Sequence, residues 1–140
     1  MNFVLDNSVV MRWFFGDGKS SELAYARSVL DAMKSANAIV PSVWGLETAN
    51  VISHAEAQEL VTEARSEAFL EMLSGIAIEV DHASADCALS NTLNLARRYK
   101  LSAYDASYLE LALRQGSPLA TLDSDLRKAA KKAGVKILLS

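Results

Sequence analysis

Five acidic residues carry most of the chemistry this 140-residue sequence can offer: Asp6, Glu47, Asp105, Asp123 and Asp125. Carboxylates gathered at one place repel each other, so they either hold protons more tightly or hold a cation. A ligand set made only of oxygen selects hard ions, Mg²⁺ or Mn²⁺. The two histidines, His54 and His82, lie outside the acidic motifs, and the one cysteine, Cys87, reads as core packing. Zinc is therefore disfavoured. Each aspartate also has a plainer reading. Asp6 and Asp123 both precede helical segments and can act as N-caps, and Ser102-Ala103-Tyr104-Asp105 fits a capping box. Glu47 resists that reading: Val43, Trp44 and Val51 flank it at helical spacing, and no Lys or Arg lies between Lys34 and Arg65 to pair with it locally. A lone carboxylate on an apolar face is expensive to bury.

The elements around these acids place them together. Five short apolar segments read as strands: Phe3-Val4-Leu5, Ala38 to Pro41, Ile76 to Val80, Leu119 to Leu122 and Val135 to Leu139. Helical patterns separate them. They run over Val9 to Phe15, from Ser20 or Ser21 to about Lys34, from a Ser42 cap to about Ala57, and over Gln58 to Leu73. Three more follow, over Ser84 to Tyr99, Ala103 to Gln115, and Ser124 to Ala133. Such alternation predicts one α/β domain over residues 1–140, with a mainly parallel sheet of about five strands covered by helices on both faces. In a parallel sheet the strand C-termini and the following helix N-termini share one edge, where ligands bind in open α/β folds. Asp6 and Asp123 end strands, Glu47 and Asp105 lie in early helical turns, and Asp125 follows two residues after Asp123. Ser8 can hydrogen-bond a nearby carboxylate or cap a helix, and Thr121 can do likewise or serve as a β-branched strand residue.

Composition bounds the classes of function. Half of the chain, 51%, is hydrophobic, with only 2 Pro and 6 Gly, which excludes a disordered or fibrous protein. No apolar run approaches the roughly 18 residues of a membrane span, and the N-terminus lacks the basic start of a signal peptide. We expect a soluble, cytoplasmic protein with no membrane contact. The net charge of −3 conceals an asymmetry. Residues 1–96 hold five Lys or Arg against thirteen Asp or Glu, whereas residues 97–140 hold nine against four. The basic C-terminal third is either a phosphate-binding surface or a solvated face, with Lys128, Lys131 and Lys132 as its densest cluster. Trp13, Phe14 and Phe15 are apolar beyond what a small monomer leaves without a use; some of them line a groove for a partner, or all are core.

Four blocks in order carry a family pattern: Leu5-Asp6-Asn7-Ser8; Val40-Pro41-Ser42 with Glu47-Thr48-Ala49-Asn50; Ser102 through Ala112; and Pro118 through Leu126. Together they resemble the PIN domain, and more narrowly the VapC-type toxins of toxin–antitoxin pairs. The resemblance spans the whole chain. It implies a PIN-like three-layer fold and an RNA endonuclease dependent on Mg²⁺ or Mn²⁺. The family's acidic quartet falls on Asp6, Glu47, Asp105 and Asp123, and Asp125 is a further candidate ligand. Ser8 and Thr121 match its supporting polar positions. The resemblance also implies a homodimer and a cognate antitoxin, VapB-like, whose tail enters a groove of the toxin. The implied chemistry is phosphodiester hydrolysis by a metal-activated water, leaving 5′-phosphate and 3′-hydroxyl ends. Arg12, Tyr104, Lys128, Lys131 and Lys132 are the candidate RNA contacts, with Tyr104 able to stack on a base. Tyr108 reads as core.

Other classes fit less well. A phosphoacceptor receiver needs an adjacent acidic pair after the first strand and a lysine after the last, but Asn7 follows Asp6 and Leu138-Leu139 close the chain's last apolar run. A dehalogenase-like phosphatase needs an aspartate where Ser8 stands. A catalytically idle PIN domain, binding RNA or protein, is the alternative that keeps the fold.

Overall fold

A computed structural model describes residues 1–140. Its sheet has four strands, β1 (Asn2–Leu5), β2 (Asn37–Pro41), β3 (Ile78–Asp81) and β4 (Leu119–Ala120). They are ordered β3-β2-β1-β4, and every pair is parallel. The fifth expected strand, Val135 to Leu139, is reduced to a single bridge between Leu119 and Ile137. The Leu119 N–H donates to the Lys136 carbonyl and the Leu138 N–H to the Leu119 carbonyl, both at 2.9 Å. β4 is only two residues long, and Leu139 turns away with φ of 59°, so no longer ladder can form.

Side-chain alternation along the strands builds two cores. Phe3, Leu5, Ala38 and Val40 point to one face, where they pack with Val9, Val10 and Phe14 of α1 (Asn7–Phe15), Ala26 and Val29 of α2 (Ser20–Ala32), Ile52 of α3 (Trp44–Ala57) and Phe69 of α4 (Glu63–Ser74). Val4, Ile39 and Leu119 point to the other, under Tyr108, Leu109, Leu111 and Ala112 of α6 (Ala103–Gln115) and Leu126, Ala129 and Ala130 of α7 (Ser124–Ala133). Phe14 is thus core, with its ring 4.7 Å from that of Phe69. Trp13 is half-buried and its indole N–H donates to the Ala26 carbonyl at 2.7 Å. Phe15 is half-buried at a hollow it shares with Val51, His54 and Leu60.

Local chemistry explains where the helices differ from the pattern. Helix α4 begins at Glu63 rather than Gln58, because Glu59 adopts φ of 59° and the Thr62 hydroxyl caps the next helix by accepting from the Arg65 N–H. α3 starts at Trp44, and Ser42 is not its cap: the Ser42 N–H donates to Ser84 Oγ at 2.8 Å. The segment expected as one helix from Ser84 to Tyr99 is broken. It forms a 3₁₀ turn at His82–Ala85, a π turn at Ala88–Thr92 and α5 at Leu93–Tyr99. The Ser84 hydroxyl, engaged with the Asp81 carbonyl and Ser42 Oγ, holds the chain off a helical path. On the same side, Arg114 pairs with Glu110 at 2.8 Å and with Asp81 at 2.6 Å, tying α6 to the end of β3. No helix is long and apolar enough to cross a membrane.

Candidate active site

Asp6 sits where β1 ends, 5% exposed, and its N–H donates to the Ala120 carbonyl of β4. It occupies the N-cap position of α1 but makes no side-chain cap bond. Its Oδ2 instead accepts from Ser8 Oγ and from Thr121 Oγ1, each at 2.7 Å. Those two hydroxyls also shape the opposing loop. Ser8 Oγ accepts from the Leu122 N–H and Thr121 Oγ1 accepts from the Asp123 N–H, both at 3.0 Å. Each hydroxyl therefore donates to one acid and accepts from the loop that carries another, so the spacing between Asp6 and Asp123 is set by four hydrogen bonds. Arg127 braces the same loop from behind, donating to the Thr121 carbonyl at 2.7 Å.

Glu47 enters from α3 and Asp105 from α6. The Ser102 hydroxyl caps α6 by accepting from the Asp105 N–H at 3.1 Å, and its hydrogen bond to the Asp105 carboxylate opposes the rise of that group's pKa. Asp123 does cap α7, with Oδ1 accepting from the Leu126 N–H at 2.9 Å. The partner that Glu47 lacked in the sequence is Tyr108, whose hydroxyl donates to Glu47 Oε1 at 2.7 Å. Tyr108 is fully buried, and one helical turn separates it from Asp105. It is core and also orients an acid. The only available signal was that spacing together with a phenolic hydroxyl on an otherwise apolar face. Asn7 adds a brace, donating to Thr48 Oγ1 at 2.7 Å and linking α1 to α3.

The acids feel one another. Burial pushes the Asp6 carboxyl up, the Ser8 and Thr121 hydrogen bonds oppose this, and the charge of Asp123 adds to the rise. Burial raises Glu47 as well; Tyr108 opposes it, and Asp6 and Asp105 reinforce it. Asp105 is pushed from 3.8 to about 6, first by burial and then by the charges of Asp123, Asp6 and Asp125. Tyr108 is held neutral by burial beside Asp6 and Glu47. No cationic side chain pairs with any of the four acids.

No three His, Cys, Asp or Glu side chains stand close enough to grip one metal ion together. Glu47 accepts from Tyr108, and Asp123 caps α7. The donor set still suits a hard divalent ion: four carboxylates, no sulfur or imidazole, and one acid already held rigidly by two hydroxyls.

The remaining candidates divide by position. Asp125 is exposed and shares a small hollow with Tyr99, Lys100, Lys128 and Lys132, so part of the basic cluster begins beside the acids. Lys131 is exposed on the same helix. Tyr104 is 59% exposed, next to Asp105. Arg12, a candidate RNA contact, is paired with Asp17 at 2.9 Å.

These features define a parallel α/β domain with an acidic pole at the carboxyl edge of its sheet. Residues 3–132 match the family model of the PIN domain, and the chain belongs to that family, whose members are in general metal-dependent nucleases. No curated protein sequence matches it. Among solved structures it is similar to the crystal structure of PAE2754 from Pyrobaculum aerophilum. The TM-score is 0.63 at 20% identity, covering 92% of this chain and 87% of that one, which is a likeness of fold.

Proposed function

We propose that this protein is a metal-dependent RNA endonuclease and the toxin of a VapBC-type toxin–antitoxin pair. The observation that carries the nuclease reading is the acidic pole: four carboxylates from four elements, three of them (Asp6, Glu47 and Asp105) raised in pKa by burial and by neighbouring charge, with no cationic side chain paired to any of the four. Proteins do not keep such a cluster for stability, because it opposes folding. Asp6, Glu47, Asp105 and Asp123 are the residues that would hold Mg²⁺ or Mn²⁺, with Asp125 at the margin. Such an ion supplies a water acidic enough to ionise near neutral pH and offsets charge developing on phosphate. Ser8 and Thr121 fix Asp6, and Tyr108 orients Glu47. Attack by water rather than by the ribose 2′-hydroxyl leaves 5′-phosphate and 3′-hydroxyl ends. The lysines of α7 and Lys100 offer phosphate contacts beside Asp125. The toxin role, the VapB-like antitoxin and the homodimer rest on the family resemblance of the four sequence blocks.

One observation favours a second reading, an idle PIN domain that binds RNA or protein: the carboxylates do not stand as a closed cage. One assay separates the two. Purified protein is incubated with RNA in Mg²⁺, in Mn²⁺ and in excess chelator. We expect cleavage with either ion, none in chelator, and product ends that accept ligation as 5′-phosphates. Cleavage unchanged in chelator would overturn the metal requirement, and an intact RNA under all conditions would favour the idle domain. Co-purification with the product of an adjacent small gene tests the toxin role.

A further inference from the structure

A small hollow opens at the same sheet edge as the acids, on their β3 side. It lies between the start of α6 and the irregular segment after β3, encloses about 180 Å³, and is lined among others by Pro41, Val43, Ala88, Thr92, Tyr104 and Ser107. Two of its walls belong to elements that carry acids: Val43 is one helical turn before Glu47, and Tyr104 and Ser107 flank Asp105 in α6. Its volume is below the roughly 300 Å³ at which small-molecule pockets begin, so it has room for one planar heterocycle and little more.

Thr92 is the second, independent observation. It is 3% exposed, and its hydroxyl has no hydrogen-bond partner in the protein. Such a group costs stability unless something pairs with it. The π turn puts it there: the Thr92 N–H bonds to the Cys87 carbonyl, five residues back, at 3.1 Å. The nearby hydroxyls are committed, with Ser84 bonded to Asp81 and Ser42, and Ser107 donating to the Tyr104 carbonyl at 2.5 Å. At the mouth stands Tyr104, an aromatic ring 59% exposed and unexplained by packing.

We propose that this hollow is a base-binding subsite, which takes one nucleobase of single-stranded RNA beside the cleaved bond, stacks it on Tyr104 and hydrogen-bonds its edge through Thr92 Oγ1. The inference rests on the nuclease reading, which supplies the RNA. A base with its neighbouring phosphate at the acids enters a wall that is apolar at Pro41, Val43 and Ala88, and the Thr92 side chain, whose hydroxyl is closed off from solvent in the unliganded protein, turns its Oγ1 to the base edge. A hydroxyl both donates and accepts, so it meets any base edge, while the small volume limits the subsite to one base.

The test compares two fluorescein-labelled 12-mers of equal charge, one of uridines and one with an abasic ribose-phosphate backbone. Binding is followed by fluorescence anisotropy in chelator, and metal-dependent cleavage of RNA is assayed separately. We expect the parent to prefer the base-bearing strand by roughly 5- to 100-fold, the usual range for a stacked base. Tyr104→Ala and Ala88→Phe, both at exposed positions, are expected to bring the two strands to equal affinity. Thr92→Val is expected to weaken binding of the base-bearing strand about fivefold, as for one hydrogen bond. Its melting temperature should stay level or rise, because an unpaired buried hydroxyl is removed; a fall would mean that Thr92 is structural and would overturn its assigned role. A parent that binds both strands equally, or an Ala88→Phe variant that keeps the preference, overturns the subsite. Failure of the nuclease reading looks different: the base preference stands and no RNA is cut in Mg²⁺.

Discussion

Replacing Asp105 with Asn tests the acidic pole without any substrate. In the folded protein the Asp105 carboxyl is pushed from 3.8 to about 6, chiefly by burial and then by Asp123 and Asp6. The folded state therefore binds a proton that the unfolded state has already lost, between about pH 4 and 6. Stability falls as pH rises through that window, and the full cost is present above it. The unscreened ceiling is about 3 kcal/mol, from two pKa units at 1.4 kcal/mol each. The side chain is only partly buried, so screening reduces this to about 1–2 kcal/mol. The amide keeps the shape of the carboxylate and carries no charge. In chelator at pH 7.5, Asp105→Asn should melt roughly 3–8 °C above the parent, and at pH 4 the gap should close. Added Mg²⁺ should raise the parent's melting temperature by mass action and the variant's by much less, and the variant should not cleave RNA. Melting curves of both proteins at the two pH values, with and without Mg²⁺, provide the measurement. A variant no more stable than the parent at pH 7.5, or one that cleaves RNA normally, would refute the argument that Asp105 belongs to a strained charge cluster.

Thr121→Val removes the donor to Asp6 and the acceptor for the Asp123 N–H from a fully buried position, and should cost about 2–3 kcal/mol by denaturant titration together with most cleavage activity. Tyr108→Phe keeps the core but frees Glu47; because that hydrogen bond opposes the rise of the Glu47 pKa, the acidic limb of the rate–pH profile should move to higher pH. A limb that stays in place would mean Glu47 does not titrate in the activity. Neutralising Lys128, Lys131 and Lys132 together should lower RNA affinity and flatten its salt dependence, by up to roughly 0.7 in log–log slope for each phosphate that no longer meets a lysine; unchanged slopes would make α7 a solvated face.

The alternation of short apolar runs with helical periods is local information, and so is the place of an acid at the end of a run or in a first helical turn. From these, the parallel α/β fold and the shared edge of Asp6, Glu47, Asp105 and Asp123 were legible in the amino-acid order alone. So was Thr121 two residues before Asp123. What the order could not contain is set by contacts between distant segments. Tyr108 and Glu47 are 61 residues apart, and only the packing of α6 against α3 puts a buried hydroxyl beside that glutamate. Val135 to Leu139 has the composition of a strand, yet a two-residue β4 gives it one bridge to make. Residues 84–99 have helical periodicity, yet Ser84 is drawn to Ser42, and the segment breaks into turns that leave the Thr92 hydroxyl unpaired. The state of the pole itself is also tertiary. Sequence places four carboxylates at one edge, but the hydrogen bonds that orient them, from Tyr108 to Glu47 and from the Leu126 N–H to Asp123, are decided only by the folded chain.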